Sequence, residues 1–256
     1  NLVFQHWFEK TSPYPNVKLI SGAVAYESIP DVTKIPHYEK IPGIRFSEKY
    51  QRWYRTYNAA IQLERGQMPQ IRAKEGLVPF QEYAPYPHLL PRIAPVGIDF
   101  QFSKRPHNQT VFQSANRQTT AALVCYETVL GSLFTWAARQ GAEAFFVLLN
   151  EGWYRDPDVP QQFLQLSVVR AIENRRSVVH SSNMGISAVI NQRGDVLQQT
   201  HSKQPTCLNA EIHLNKQRTL ASLLGNYLGL LALIGSLGIL VRAFGSSKIK
   251  IKKGAK

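Results

Sequence analysis

Residues Thr119–Glu127 read Thr-Thr-Ala-Ala-Leu-Val-Cys-Tyr-Glu. The apolar run over Thr119–Val124 is a short buried strand that leads directly into Cys125. Behind it Val129, Leu130, Leu133, Phe134 and Ala137 recur at helical spacing. A cysteine that ends a strand and opens a helix lies where helix N–H groups and the macrodipole favour a thiolate. Buried cysteines are more often inert packing, so placement alone makes Cys125 only a candidate nucleophile.

Outward from this unit, Lys18 to Glu211 alternates apolar runs with amphipathic stretches, the pattern of an α/β fold. Lys18–Tyr26, Tyr57–Leu63 and Gln70–Ala73 read as strands on the N-terminal side. Ser28–Arg55, rich in Pro, Lys and Tyr, reads as an irregular excursion, and Pro79, Pro85, Pro87 and Pro91 keep the stretch after Lys74 out of regular structure. On the C-terminal side Ala144–Leu149 is fully apolar, and Pro160–Asn174 fits a helix with Pro in its first turn. Ser177–Ser181, Ile186–Asn191, Val196–Thr200 and Cys207–Ile212 read as strands, with a hairpin turn at Gln192–Asp195 and Cys207 as core. Lys74, at a strand end with Glu82 eight residues on, is unremarkable by spacing alone.

The last segment differs in kind. Thr219–Val241 has no charged residue, and Leu, Ile, Ala and Gly dominate it. At about 1.5 Å per residue it is long enough for a hydrocarbon core of roughly 30 Å. Arg218 and Arg242 bracket it, and a Lys-rich tail follows. Three units are therefore expected: a domain over 1–217, a transmembrane helix over 218–244 and a basic cytoplasmic tail over 245–256. The positive-inside rule puts the domain on the opposite side of the membrane from the tail.

The formal charge of +13 invites a nucleic-acid reading, but six of the basic residues lie in the last fifteen positions. Without them 24 basic residues face 17 acidic ones, scattered and with no basic helix. No nucleic-acid partner is expected. Two cysteines make no disulfide framework, and the seven histidines lie in no HxxxH pair, so neither a structural metal nor a cofactor is expected. Asn108-Gln109-Thr110 is a chance glycosylation triplet.

Several segments together resemble the nitrilase (carbon–nitrogen hydrolase) superfamily, and within it the apolipoprotein N-acyltransferases of Gram-negative bacteria. Lys74–Pro85 (KEGLVPFQEYAP) is similar to that family's K-x-x-LVPFGEyvP, and Val124–Glu127 to its I-C-Y-E elbow. Asn150–Tyr154 is similar to N-D-x-W-F/W, Arg170–Arg176 to R-A-I-E-x-x-R, and Asn183–Asn191 to N-T-G-I-S-A-x-I-D. Five motifs in register are far more specific than any one of them.

The resemblance implies an α-β-β-α sandwich lacking its first strand, since Lys18–Ala25 matches the family's second. It implies a Glu-Lys-Cys site facing the periplasm of a bacterial inner membrane. Cys125 is the implied nucleophile, Lys74 the cation beside the developing oxyanion, and Glu82 the carboxylate that orients Lys74 or its loop. Tyr126, Glu127 and Trp153 match positions that support the nucleophile or the substrate pocket; core packing explains Tyr126 and Trp153 as well, and the helix dipole explains Glu127. The implied reaction moves an acyl chain from a phospholipid, through a Cys125 thioester, to the amino group of a lipoprotein's diacylglyceryl-cysteine. The general base is expected upstream of Asn1, because neither Glu9 nor Glu27 follows an apolar strand. Glu75, Gly76, Gln81, Glu151, Arg155 and Met184 depart from the family pattern. Two other readings stay open: an amidase or carbamoylase acting on small C–N bonds, and a membrane-tethered homologue without catalysis.

Overall fold

A computed structural model describes residues 2–11, 13–14, 16–35, 43–82, 111–152, 154, 156–225 and 227–253 of the 256. The Pro-rich stretch at Pro85, Pro87 and Pro91, the Asn108-Gln109-Thr110 triplet, Arg155 and the end of the basic tail lie outside these residues.

A short helix, α1 (Leu2–Lys10), precedes a four-stranded antiparallel sheet. Its strands are β1 (Lys18–Ile29), β2 (Ile44–Ser47), β3 (Arg52–Glu64) and β4 (Gln70–Ala73). The central strand β3 pairs along its length with β1, Lys18 opposite Glu64 and Ile29 opposite Trp53. Its other edge takes β2 at one end and β4 at the other. Thus Ser28–Arg55, expected to be irregular, holds the end of β1, all of β2 and the start of β3. Its aromatic residues pack across strands, Phe46 on Trp53 and Tyr54 on Tyr26 of β1, a use of Tyr and Trp that strands favour.

The second sheet has six strands in the order β10-β9-β8-β7-β6-β5. These are β5 (Phe112–Gln113), β6 (Thr119–Val124), β7 (Ala144–Leu149), β8 (Ser177–Ser182), β9 (Ala188–Ile190) and β10 (Val196–Gln199). β6, β7 and β8 run parallel, as strands joined by helical crossovers must, and the outer strands are antiparallel. The crossovers are α2 (Gly131–Arg139) and α3 (Val159–Asn174). They cover one face of this sheet, where Phe134 of α2 meets Phe145 of β7 edge-on at 5.1 Å and Leu164 and Ala171 of α3 join the same core. The opposite face packs on the four-stranded sheet through Ala60, Phe112, Ala122 and Val124. Parallel strands buried on both faces need continuous apolar runs, and Ala144–Leu149 supplies one.

Two expectations change in the C-terminal part. Cys207–Ile212 forms no strand, and Cys207 is exposed rather than core. The segment is held at separated points instead of by a ladder: Ser177 Oγ donates to the His213 carbonyl, Asn215 N–H to the Glu143 carbonyl and Arg176 Nη1 to the Gln217 carbonyl. The uncharged stretch from Thr219 is divided into α4 (Leu220–Leu224) and α5 (Tyr227–Lys253). Gly225, with φ of 65°, ends α4, whose last carbonyls accept from Arg139 of α2. The uncharged part of α5 before Arg242 then extends about 22 Å at roughly 1.5 Å per residue. Among the described residues no helix is long and apolar enough to cross a membrane. Leu231, Ile234, Leu237, Ile239, Leu240 and Val241 of α5 are nevertheless all more than half exposed.

Candidate active site

Residues just past β4, β6 and β7 meet at Cys125. The sulfur is positioned by backbone geometry: Cys125 has φ of 52°, a left-handed conformation that β-carbon-bearing residues adopt at a cost. The sharp turn this makes after β6 aims the side chain off the strand end. Cys125–Val129 forms a 3-10 turn, and α2 starts only at Gly131. The expected helix dipole is therefore replaced by a single tight turn. Burial pushes the Cys125 thiol up, against which the Lys74 ammonium, the Tyr126 N–H and the Tyr154 hydroxyl all favour the thiolate.

Lys74 comes from the strand next to the elbow. Its N–H donates to the Asn58 carbonyl at 2.7 Å, extending the β3–β4 ladder by one residue past Ala73. The side chain is 1% exposed, and Nζ lies 2.7 Å from Glu82 Oε2. Glu82 closes a turn in which Phe80 has φ of 62°. Its carboxylate also accepts from the Val78 N–H at 2.7 Å and from Asn58 Nδ2 at 3.2 Å. A buried ammonium needs a partner, and Glu82 is placed to be one while Lys74 still acts electrostatically on the sulfur.

Glu127 is fully buried and joins the elbow to the Lys74 segment. It accepts from both terminal nitrogens of Arg72 at 2.7 and 3.0 Å, and from the backbone N–H groups of Glu75, Gly76 and Val124 at 2.8 to 3.1 Å. Burial pushes its carboxyl up, but Arg72 and these N–H donors outweigh it and hold the group below its usual range. Tyr126 follows Cys125 in the 3-10 turn, half-buried, with its N–H toward the sulfur. Trp153 lies outside the described residues.

Other contacts had weaker signals in the sequence. Arg170 of α3 donates from Nε to the Thr128 carbonyl at 3.2 Å and from Nη2 to the Val129 carbonyl at 3.3 Å, bracing the elbow from behind. Arg72 sits two residues before Lys74, so strand alternation puts both on one face. Glu151, at the end of β7, is 3% exposed and takes a hydrogen bond from Ser182 Oγ. Its Oε1 has no partner among the described residues, and burial pushes its carboxyl up. No metal-holding cluster of His, Cys, Asp or Glu occurs among the described residues.

The family of carbon–nitrogen hydrolases matches residues 33–221, a range that holds the Cys125, Lys74 and Glu82 cluster. This chain belongs to the carbon–nitrogen hydrolase family. Within that family it is 29% identical over 172 residues to an apolipoprotein N-acyltransferase of Geobacter metallireducens, covering 66% of this chain and 32% of that protein. It is 31% identical over 181 residues to an apolipoprotein N-acyltransferase of Pasteurella multocida, covering 68% of this chain and 33% of that protein. The chain thus spans about a third of the length of these relatives. Among solved structures, a glutamine-dependent NAD+ synthetase of Acinetobacter baumannii aligns with a TM-score of 0.50 at 17% identity, over 79% of this chain and 32% of that one. That likeness concerns the fold alone.

Proposed function

We propose that this carbon–nitrogen hydrolase domain is the catalytic part of a lipoprotein N-acyltransferase, with Cys125 as nucleophile. The observation that carries the reading is a buried ammonium, Lys74, acting on the Cys125 sulfur while paired to Glu82. Similarity to named apolipoprotein N-acyltransferases supplies the substrate classes.

In the proposed first step the Cys125 thiolate attacks the carbonyl carbon of a phospholipid ester. The carbon–oxygen bond breaks, a thioester forms and the lysophospholipid alkoxide takes up the proton released from the thiol. In the second, the amino group of a diacylglyceryl-cysteine attacks the thioester carbonyl. The carbon–sulfur bond breaks, an amide forms, the thiolate returns and the ammonium proton passes to a base. Lys74 places positive charge where both tetrahedral intermediates carry an oxyanion. Glu82 orients Lys74, and Glu127 joins the strand bearing Lys74 to the turn bearing Cys125. Tyr126 supports the nucleophile.

We further propose that α5 holds the domain at a bacterial inner membrane, catalytic side toward the periplasm and Lys-rich end toward the cytoplasm. Its exposed aliphatic residues support this, because a lipid-facing helix shows no polar face. Arg242 can reach headgroups along its own aliphatic stem, and a short apolar segment is accommodated by local thinning of the bilayer.

The test uses the full-length protein with phospholipid vesicles and mass spectrometry of the trapped enzyme. A hydroxylamine-labile acyl group on Cys125, transferable to a diacylglyceryl-cysteine peptide, is the expected result. An acyl group on Cys207 in its place, or cleavage of soluble amides with no lipid reaction, would sink the proposal.

A further inference from the structure

Cys125 keeps a left-handed backbone at the end of β6, and such a residue persists only where its surroundings over-determine it. Its carbonyl accepts from Thr128 Oγ1 at 2.8 Å, three residues on in the same 3-10 turn. The Thr128 carbonyl accepts in turn from Arg170 Nε at 3.2 Å, and the Val129 carbonyl from Arg170 Nη2 at 3.3 Å. The remaining nitrogen, Nη1, is paired at 2.5 Å with Glu173, three residues along α3. Thr128 and Arg170 are both buried. One hydroxyl and one guanidinium thus run in series from the body of α3 to the peptide that carries the sulfur. The start of α2 makes room for them. A β-carbon on Gly131 would overlap Arg170 Nη1 and stand 3.0 Å from its Cζ, so glycine there lets the guanidinium reach the turn.

We infer that Thr128 and Arg170 are positioning residues for the nucleophile: they hold the Cys125 peptide in its left-handed turn and with it the direction in which the sulfur points. Neither touches the reacting atoms. A left-handed residue that carries a β-carbon gains by rotating back to the ordinary regions of backbone space. That rotation swings the Cα–Cβ bond and moves the sulfur. With the Cys125 and Thr128 carbonyls both held, the turn makes this move only by leaving buried acceptors unpaired, which costs more than the strain it relieves.

The inference rests on the proposed function, in which the Lys74 ammonium acts on the Cys125 sulfur, and its test reads that action directly. Full-length protein is alkylated with iodoacetamide across the neutral and alkaline range, and modification of Cys125 is followed by mass spectrometry, with Lys74 intact or as Lys74→Ala. Removing the ammonium should raise the midpoint of the rate profile by about one pH unit. The same pair is compared in Thr128→Val, which removes the hydroxyl, and in Gly131→Ala, whose methyl displaces the guanidinium. In both backgrounds the difference made by Lys74→Ala should shrink to less than about a third, because a sulfur that has turned away no longer couples to the lysine. Thr128→Ser keeps the hydroxyl and should restore the difference. Melting curves check the fold, and where Thr128→Val does not fold, Gly131→Ala decides. A full-sized difference in the folded variants overturns the inference and leaves the proposed function standing. No difference in the parent protein removes Lys74 from the site and takes the inference with it. If the differences behave as expected while no acyl group is ever taken from phospholipid, the acyl-transfer reading fails and the positioning role stands.

Discussion

Arg72 with Glu127 and Lys74 with Glu82 are two ion pairs that begin two residues apart on one strand and do opposite work. In the first both side chains are 0% exposed, the geometry is bidentate and three backbone N–H groups complete the carboxylate. In the second the carboxylate is 13% exposed, sits on a turn and shares a single 2.7 Å contact with the ammonium. Charge type is the same in both. The number of fixed partners makes one a joint between strand and elbow and leaves the other less constrained, as the proposed role of Lys74 requires.

Breaking the joint should cost most. Glu127→Gln leaves Arg72 without a counter-charge in a fully buried site and sets an NH2 donor against N–H groups that both carboxylate oxygens now accept from, a loss of about 3–5 kcal/mol in urea unfolding. A loss under about 1 kcal/mol would show that the pair is not structural. A buried contact without an ion pair extends the comparison to pH. His180 of β8 meets Ser167 Oγ of α3 through Nδ1 at 2.8 Å, and burial lowers its pKa to about 4. Between an unfolded value of 6.5 and about 4 only the unfolded chain binds this proton, so stability falls with pH across that window. The fall should approach about 3 kcal/mol and be absent in His180→Phe. The Glu127 contribution, with its folded pKa depressed, should be lost only at lower pH, as the carboxyl itself protonates.

Smaller effects probe the seam between the pairs. A β-carbon on Gly76 would stand 2.6 Å from Leu130 Cδ1 and 3.0 Å from Glu127 Cγ, so Gly76→Ala should destabilise by about 1–3 kcal/mol. Unchanged thermal unfolding would mean the seam is loose. Lys74→Ala should cost about 1–3 kcal/mol, less than breaking the fully buried pair, because the Glu82 carboxylate is partly exposed and keeps Val78 and Asn58. The same change should abolish thioester formation in the full-length protein, and wild-type thioester rates would remove Lys74 from the chemistry.

What the sequence discloses follows the same division. Apolar runs buried on both faces, such as Ala144–Leu149, are legible because burial dictates their composition directly. Lys74, Glu82 and Cys125 are recognisable as a set only through motifs in register, since a lysine or glutamate has the same letters on a surface as in a site. The Glu127 partners could not be read, because they come from a strand more than fifty residues away. Ser28–Arg55 misleads because its Pro and Lys content masks aromatic pairs that suit a strand. The Thr219–Val241 stretch reads as one helix and holds two. Hydropathy does not register the positive φ that Gly225 permits, or the tie of α4 to Arg139.

The left-handed backbone at Cys125 implies a conflict between durability and reactivity at one position. Any side chain there carries a steric penalty of roughly 1–2 kcal/mol that glycine escapes. The inert Cys125→Gly protein should accordingly melt above the equally inert Cys125→Ala protein, even though a more flexible unfolded chain works against glycine. Backbone geometry alone would thus place at this position a residue with no side chain and no sulfur.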